Sequence, residues 1–177
     1  MQLDMMFTGF GGQGILMMGK IVALAALEEK KEVAWIPSYG PEMRGGTAYC
    51  TVVIGDSPIG SPIIQNPNYL VAMNQPSMEK FGQLVKPKGL ILKNTSLVPI
   101  SSGRTDLDEY NIAANAIANE LGTVKVANVV ALGAFIHRTG MFSLDLIQDI
   151  LKKELSKKPE LLDINIKAIE RGKECVS

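Results

Sequence analysis

Apolar positions come first as a short run at residues 3–8, closed by glycines, which predicts a buried strand. A helical rhythm follows. Ile15, Gly19, Val22 and Ala26 recur on one face, with Leu16, Ala23 and Leu27 beside them. The small residues Gly19, Ala23 and Ala26 let this helix lie close to a neighbour, and the charged run 28–32 marks its solvated end. Residues 33–36 form the next strand, so strand, helix and strand make a βαβ unit. Residues 38–46 are a Gly- and Pro-rich loop. The β-prone stretch 47–54 follows with no intervening helix, which places it antiparallel or on an edge.

Pro58, Pro62 and Pro67 keep residues 55–68 irregular. A strand at 69–73, a short helix at 76–85 opened by Pro76, and a continuous apolar strand at 90–92 come next. Beyond residue 100 the pattern is largely helical. One helix spans 111–121 and stops at Gly122, and a second spans 127–137 and ends near Gly140. Ser143 caps a third, in which Leu144, Ile147, Leu151 and Leu155 share a face. Pro159 opens a fourth, with Leu162, Ile166 and Ile169 inward. The expected fold is α/β: three layers around a mostly parallel sheet, one antiparallel or edge strand, and a helical C-terminal third, all in one domain over 1–177.

Composition narrows the function. Eighteen basic residues balance eighteen acidic ones, so no net positive field draws nucleic acid or an anionic membrane. The Lys pairs at 152–153 and 157–158 are interleaved with Glu154 and Glu160. Two cysteines (Cys50, Cys175) and one histidine (His137) fall short of the roughly four ligands of an iron–sulfur cluster or a structural zinc site. Two distant thiols, a start without basic residues and no apolar run near roughly 18 residues predict a soluble cytoplasmic chain. The nine methionines are scattered and read as core or contact filler.

Chemistry concentrates in two segments. Gly9-Phe10-Gly11-Gly12-Gln13-Gly14 joins the first strand to the first helix and satisfies G-x-G-x-x-G through Gly9, Gly11 and Gly14. Such glycines let a ligand approach the backbone, and the helix N-terminus offers N–H groups to an anion. A dinucleotide site also needs an acid near the end of the second strand, and Trp35-Ile36-Pro37-Ser38-Tyr39 supplies none. A tight turn facing a partner or another ligand is the competing reading. Ser38-Tyr39-Gly40-Pro41-Glu42-Met43-Arg44-Gly45-Gly46 leaves the second strand at the same carboxyl edge, where open α/β sheets bind ligands. Arg44, within a loop with glycines on either side of it in sequence (Gly40, Gly45, Gly46), has room for a bidentate carboxylate or phosphate contact, or for a pair with Glu42. Asn74 reaches that edge or caps the Pro76 helix, and Asn128 within an apolar helix reads as a packing hydrogen bond. His137 has no partner at catalytic spacing and reads as structural or surface. No general base, nucleophile elbow or metal cluster is visible.

At the two glycine segments the chain resembles the gamma subunit of 2-oxoacid:ferredoxin oxidoreductases. The likeness runs through residues 9–15 and 39–47, then Cys50-Thr51-Val52-Val53-Ile54, Ile59-Gly60-Ser61-Pro62, Val126-Ala127-Asn128-Val129-Val130-Ala131-Leu132-Gly133-Ala134 and Lys158-Pro159-Glu160. Glu42-Met43-Arg44-Gly45-Gly46 is closer to the 2-oxoglutarate and branched-chain types than to the doubled Arg of pyruvate types. The resemblance implies alpha, beta and usually delta partner chains. In such complexes thiamine diphosphate and Mg2+ sit on alpha and beta, and [4Fe–4S] clusters on beta or delta. The implied reaction turns a 2-oxoacid and coenzyme A into an acyl-CoA and CO2, with electrons passed to ferredoxin. This chain would then carry no catalytic residue of its own and be inactive alone. Its ligand- or partner-facing positions would be Gly9, Gly11, Gly12, Gln13, Gly14, Tyr39, Glu42, Arg44, Gly45, Gly46 and Asn74. Loops shaped for partners can pair with a second copy when the chain is isolated. The alternatives are a stand-alone NAD(P)-binding domain, which lacks its acid, and a flavodoxin-like carrier, which lacks a Ser/Thr-rich phosphate loop.

Overall fold

A computed structural model describes residues 2–39 and 47–177. Its sheet contains six strands: β1 (Gln2–Phe10), β2 (Glu32–Tyr39), β3 (Thr47–Gly55), β4 (Tyr69–Ala72), β5 (Leu90–Asn94) and β6 (Asp108–Ile112). They lie in the order β2-β3-β1-β4-β5-β6. β1, β4, β5 and β6 run parallel, while β3 lies antiparallel to both β1 and β2. β1 and β2 therefore point the same way without touching, because β3 is inserted between them. The expected antiparallel strand is β3, and the edges of the sheet are β2 and β6. Pro37 within β2 suits an edge, where a missing N–H costs no ladder bond on the open side.

Side-chain alternation along the strands divides the interior. Met5 and Phe7 of β1, Val71 of β4 and Leu92 of β5 face one core, which they share with helices α1 (Ile15–Glu28), α3 (Ala114–Glu120), α4 (Ala127–Thr139), α5 (Leu144–Glu154) and α6 (Leu162–Cys175). Met6, Leu70 and Ile91 face the other, covered by α2 (Gln75–Phe81), its 3-10 extension Gly82–Leu84, and Val98. The result is three layers of unequal thickness. Phe7 is fully buried and meets Phe135 of α4 edge-on, with ring centroids 5.4 Å apart.

Helix caps follow the sequence. Gly140 ends α4 in the left-handed conformation (φ 62°), and the Ser143 hydroxyl accepts the Leu146 N–H at 3.2 Å to start α5. Gly122, at φ 104°, follows α3. Close approach of α1 to the sheet uses Gly19, where a Cβ would strike Cys50 Sγ of β3 and stand 3.1 Å from the Trp35 ring nitrogen of β2.

Four expectations are corrected. The chain after residue 100 is not only helical, because residues 108–112 form β6. The helix expected over 111–121 begins at Ala114, since Asn111 and Ile112 belong to that strand. In α6 the buried stripe is Asn165, Ala168, Ile169 and Gly172, so Leu162 and Ile166 are only half-buried. Leu27, at 54 % exposure, turns outward at the last turn of α1. No described helix is long and apolar enough to cross a membrane.

Candidate functional site

The carboxyl ends of β1, β2 and β4 bring the first glycine turn, Tyr39 and Asn74 to one edge. Here β1 ends and its glycine turn begins. Gly9 is still inside the strand, buried and paired with Ala48. A Cβ there would lie 2.5 Å from Gln13 Oε1 and 2.6 Å from Ile15 Cδ1, so its smallness makes room for the turn itself. Gln13 fastens that turn from both ends of one residue. Its side-chain carbonyl accepts the Phe10 N–H at 2.7 Å, and its own N–H donates to the Phe10 carbonyl at 3.2 Å. Gly12 and Gly14 take φ of 94° and 72°, a region costly for other residues. Gly14 is the N-cap of α1, which has no side-chain cap and no acid in its first turn. The first amides of that helix therefore carry an undisputed partial positive charge at the edge.

A second helix holds the turn from behind. Asn128, in the first turn of α4 and 4 % exposed, donates from Nδ2 to the Gly14 carbonyl at 3.3 Å. A Cβ on Gly14 would collide with that amide. The sequence reading of Asn128 as a packing hydrogen bond is what the geometry gives.

Asn74 stands just past β4 on the same edge. Its Oδ1 accepts the Ser77 N–H at 2.9 Å and caps α2, while its buried Nδ2 has no hydrogen-bond partner among the described residues. Asn94 at the end of β5 does similar work for α3: its Oδ1 accepts the Ala114 N–H at 3.0 Å, and its Nδ2 donates to Asn115 Oδ1 at 2.7 Å. Tyr39 and Thr47 also lie at this edge, in register with Ala48 and Phe10 respectively. Glu42, Arg44, Gly45 and Gly46 lie outside the described residues. Gly11 and Gly12 are half-buried and exposed, respectively.

Between the glycine turn and the α3–α4 junction is a cavity of about 140 Å3, lined by Gly12, Gln13, Met73, Asn115, Val124, Lys125 and Ala127. Asn115 and Lys125 were not singled out from sequence. The junction 122–126 reads only as a helix break, and nothing local says that it folds back onto residues 12–13. A larger, mostly apolar groove of about 360 Å3 adjoins it, and Lys125 borders both.

Among the described residues the edge offers the first backbone amides of α1 and the side-chain amides of Asn74 and Asn94. Cys50 is buried, and burial pushes its thiol up to about 12, which keeps it protonated and unreactive. His137 is exposed near the far end of α4. Among the described residues no three His, Cys, Asp or Glu side chains could share a metal. The two cysteines, one in β3 and one ending α6, do not fit a four-thiolate cluster.

Known proteins resemble the chain along almost its whole length. Residues 4–175 match the family described as pyruvate ferredoxin/flavodoxin oxidoreductase. Ketoisovalerate oxidoreductase subunit VorA of Methanothermobacter marburgensis is 40 % identical over 167 residues, covering 93 % of this chain but 34 % of its own. The chain thus spans about a third of that relative's length. 2-Oxoglutarate synthase subunit KorC of Methanocaldococcus jannaschii is 34 % identical, with 98 % of this chain and 94 % of that one covered. The crystal structure of a keto/oxoacid ferredoxin oxidoreductase gamma subunit from Geobacter sulfurreducens superposes with a TM-score of 0.81 at 32 % identity, covering 97 % of this chain and 96 % of the other.

Proposed function

We propose that this chain, which belongs to the pyruvate ferredoxin/flavodoxin oxidoreductase family, serves as the gamma subunit of a complex that oxidatively decarboxylates a 2-oxoacid larger than pyruvate. On this reading the substrate is 2-oxoglutarate. The complex releases CO2, forms succinyl-CoA from coenzyme A and passes two electrons to ferredoxin. Full-length correspondence with a 2-oxoglutarate synthase subunit carries the proposal. Ketoisovalerate is the second reading, favoured by the 40 % identity to VorA.

Within the complex, thiamine diphosphate, Mg2+ and the [4Fe–4S] clusters belong to alpha, beta and delta partner chains, and they supply the carbon–carbon cleavage and electron transfer. The gamma chain binds and orients. The free amides at the start of α1 and the Arg44 guanidinium face anionic groups of coenzyme A, or of a partner chain, at the mouth of the active site. Gln13 and Asn128 keep the glycine turn in shape so that these amides are presented without reorganisation on binding. Residues 1–177 act as one domain, inactive alone.

Steady-state kinetics on the purified complex test this reading. Arg44→Ala raises KM for coenzyme A by roughly tenfold to a hundredfold, the worth of a charge-assisted hydrogen bond, and leaves KM for the 2-oxoacid unchanged. The unmodified complex prefers 2-oxoglutarate to ketoisovalerate and pyruvate in kcat/KM. An unchanged KM for coenzyme A removes Arg44 from the site. Preference for ketoisovalerate replaces the first substrate reading with the second.

A further inference from the structure

The start of α1 is braced from the side opposite its free amides. Gly14 supplies no capping side chain, and helical geometry leaves the Ile15, Leu16 and Met17 N–H groups without partners in the helix. Two neighbouring elements instead hold successive carbonyls of that first turn. Asn128 Nδ2 of α4 donates to the Gly14 oxygen at 3.3 Å. The Cys50 thiol of β3 donates to the Ile15 oxygen at 3.6 Å, a length that suits the larger sulfur atom.

Peptide planarity links each of these grips to an amide. The Gly14 oxygen shares a rigid plane with the Ile15 N–H, and the Ile15 oxygen shares one with the Leu16 N–H, each pair pointing in opposite directions. Holding the oxygen therefore aims the amide. A side-chain cap also steadies a first turn, but it does so by occupying an amide. A grip on the carbonyls steadies the turn and leaves every amide for an anion.

The surroundings of Cys50 fit it for this task. It is fully buried on the face of β3 that meets α1. Gly19 lies one helical turn beyond Ile15 and has no side chain to shield the Ile15 oxygen; a Cβ there would strike Cys50 Sγ. Only a protonated thiol has a hydrogen to donate. Burial pushes the Cys50 pKa up to about 12, against the opposing pull of the Trp35 indole and the Gly19 N–H beside the sulfur.

We propose that Cys50 is a positioning residue, whose S–H holds the Ile15 carbonyl so that the Leu16 amide is presented to an anionic group of coenzyme A. The identity of the anion rests on the gamma-subunit reading; the hydrogen bond does not.

Infrared spectroscopy of the full chain carrying Cys175→Ser reads the bond itself, because Cys50 then holds the sole thiol. Its S–H stretch is expected at lower frequency than that of a free thiol. In the purified complex, Cys50→Ala raises KM for coenzyme A about threefold to tenfold, the worth of one modest hydrogen bond. kcat and KM for the 2-oxoacid stay unchanged. Cys50→Ser keeps a donor and returns KM for coenzyme A to near that of the unmodified complex. Val52→Ala, a larger deletion in the same core and strand, leaves that KM unaltered. The proposal is overturned by a free-thiol frequency, by an unchanged KM in Cys50→Ala, by an equal rise in Val52→Ala, or by no recovery in Cys50→Ser. Arg44→Ala separates the two levels. If it raises KM for coenzyme A and Cys50→Ala does not, the edge meets coenzyme A and only the role of Cys50 falls. If neither variant raises it, the reading of the edge falls as well.

Discussion

Gly14 concentrates three demands on one residue. It holds a left-handed φ of 72°, caps α1 without a side chain, and leaves room for the Asn128 amide. A methyl group there meets both backbone strain and a collision. Gly14→Ala is expected to cost about 2–4 kcal/mol, combining strain of about 1 kcal/mol or more with overpacking of similar or greater size. Chemical denaturation of the purified chain measures this directly. A loss under about 0.5 kcal/mol would mean that the turn relaxes freely and that Asn128 does not hold it. The glycine pattern itself was legible in the sequence, since glycines between a strand and a helix have few other uses. Its fastening by Gln13 was not, because a glutamine at that spacing has no fixed local meaning. Lys125 and Asn115 were hidden for a different reason. They reach the edge only after about 110 residues of chain return to it, and no spacing rule spans that distance.

At the scale of elements, what the periodicity showed and what it missed have a common cause. β1, β4 and β5 are buried on both faces, so their apolar runs announce them. β6 is a five-residue edge strand, Asp108–Ile112, in which only Ile112 is buried. Its strand character comes from pairing with β5, from Leu90 opposite Asp108 to Asn94 opposite Ile112, and not from its own pattern. The crossing of α4 and α6 escaped notice similarly. Gly133 and Gly172 look like ordinary helix-weakening glycines until the two helices are placed together. A Cβ on Gly133 would strike the Ile169 carbonyl, and one on Gly172 the Val130 carbonyl. These clashes are with backbone, which a rotamer change cannot relieve. Gly172→Ala therefore destabilises, by about 2–4 kcal/mol, although alanine is intrinsically the better helix former by about 1 kcal/mol. Thermal unfolding of the variant decides between packing and propensity. An unchanged or raised melting temperature would mean that the helices are not in backbone contact.

For the whole molecule, the asymmetry of function matches the asymmetry of chemistry. One edge of the sheet offers the glycine turn and the uncapped N-terminus of α1, with a lysine nearby that has no partner among the described residues. The described residues offer no metal cluster, and the buried thiol is held protonated. The same domain accounts for about a third of VorA and nearly all of KorC, so related proteins carry it both within a longer polypeptide and as a separate chain. Family membership was legible from the paired glycine segments and the run around Asn128. The choice of 2-oxoacid was not, because the described residues that carry the resemblance lie in the frame and at the edge, and among them no closed substrate pocket is formed. Affinity purification of the tagged chain from its native cells, with the eluate assayed for viologen reduction dependent on both coenzyme A and a 2-oxoacid, tests the central claim most directly. The account predicts co-purifying thiamine- and iron–sulfur-binding chains and activity that vanishes when either substrate is omitted. A chain that elutes alone, with no such activity, would contradict it.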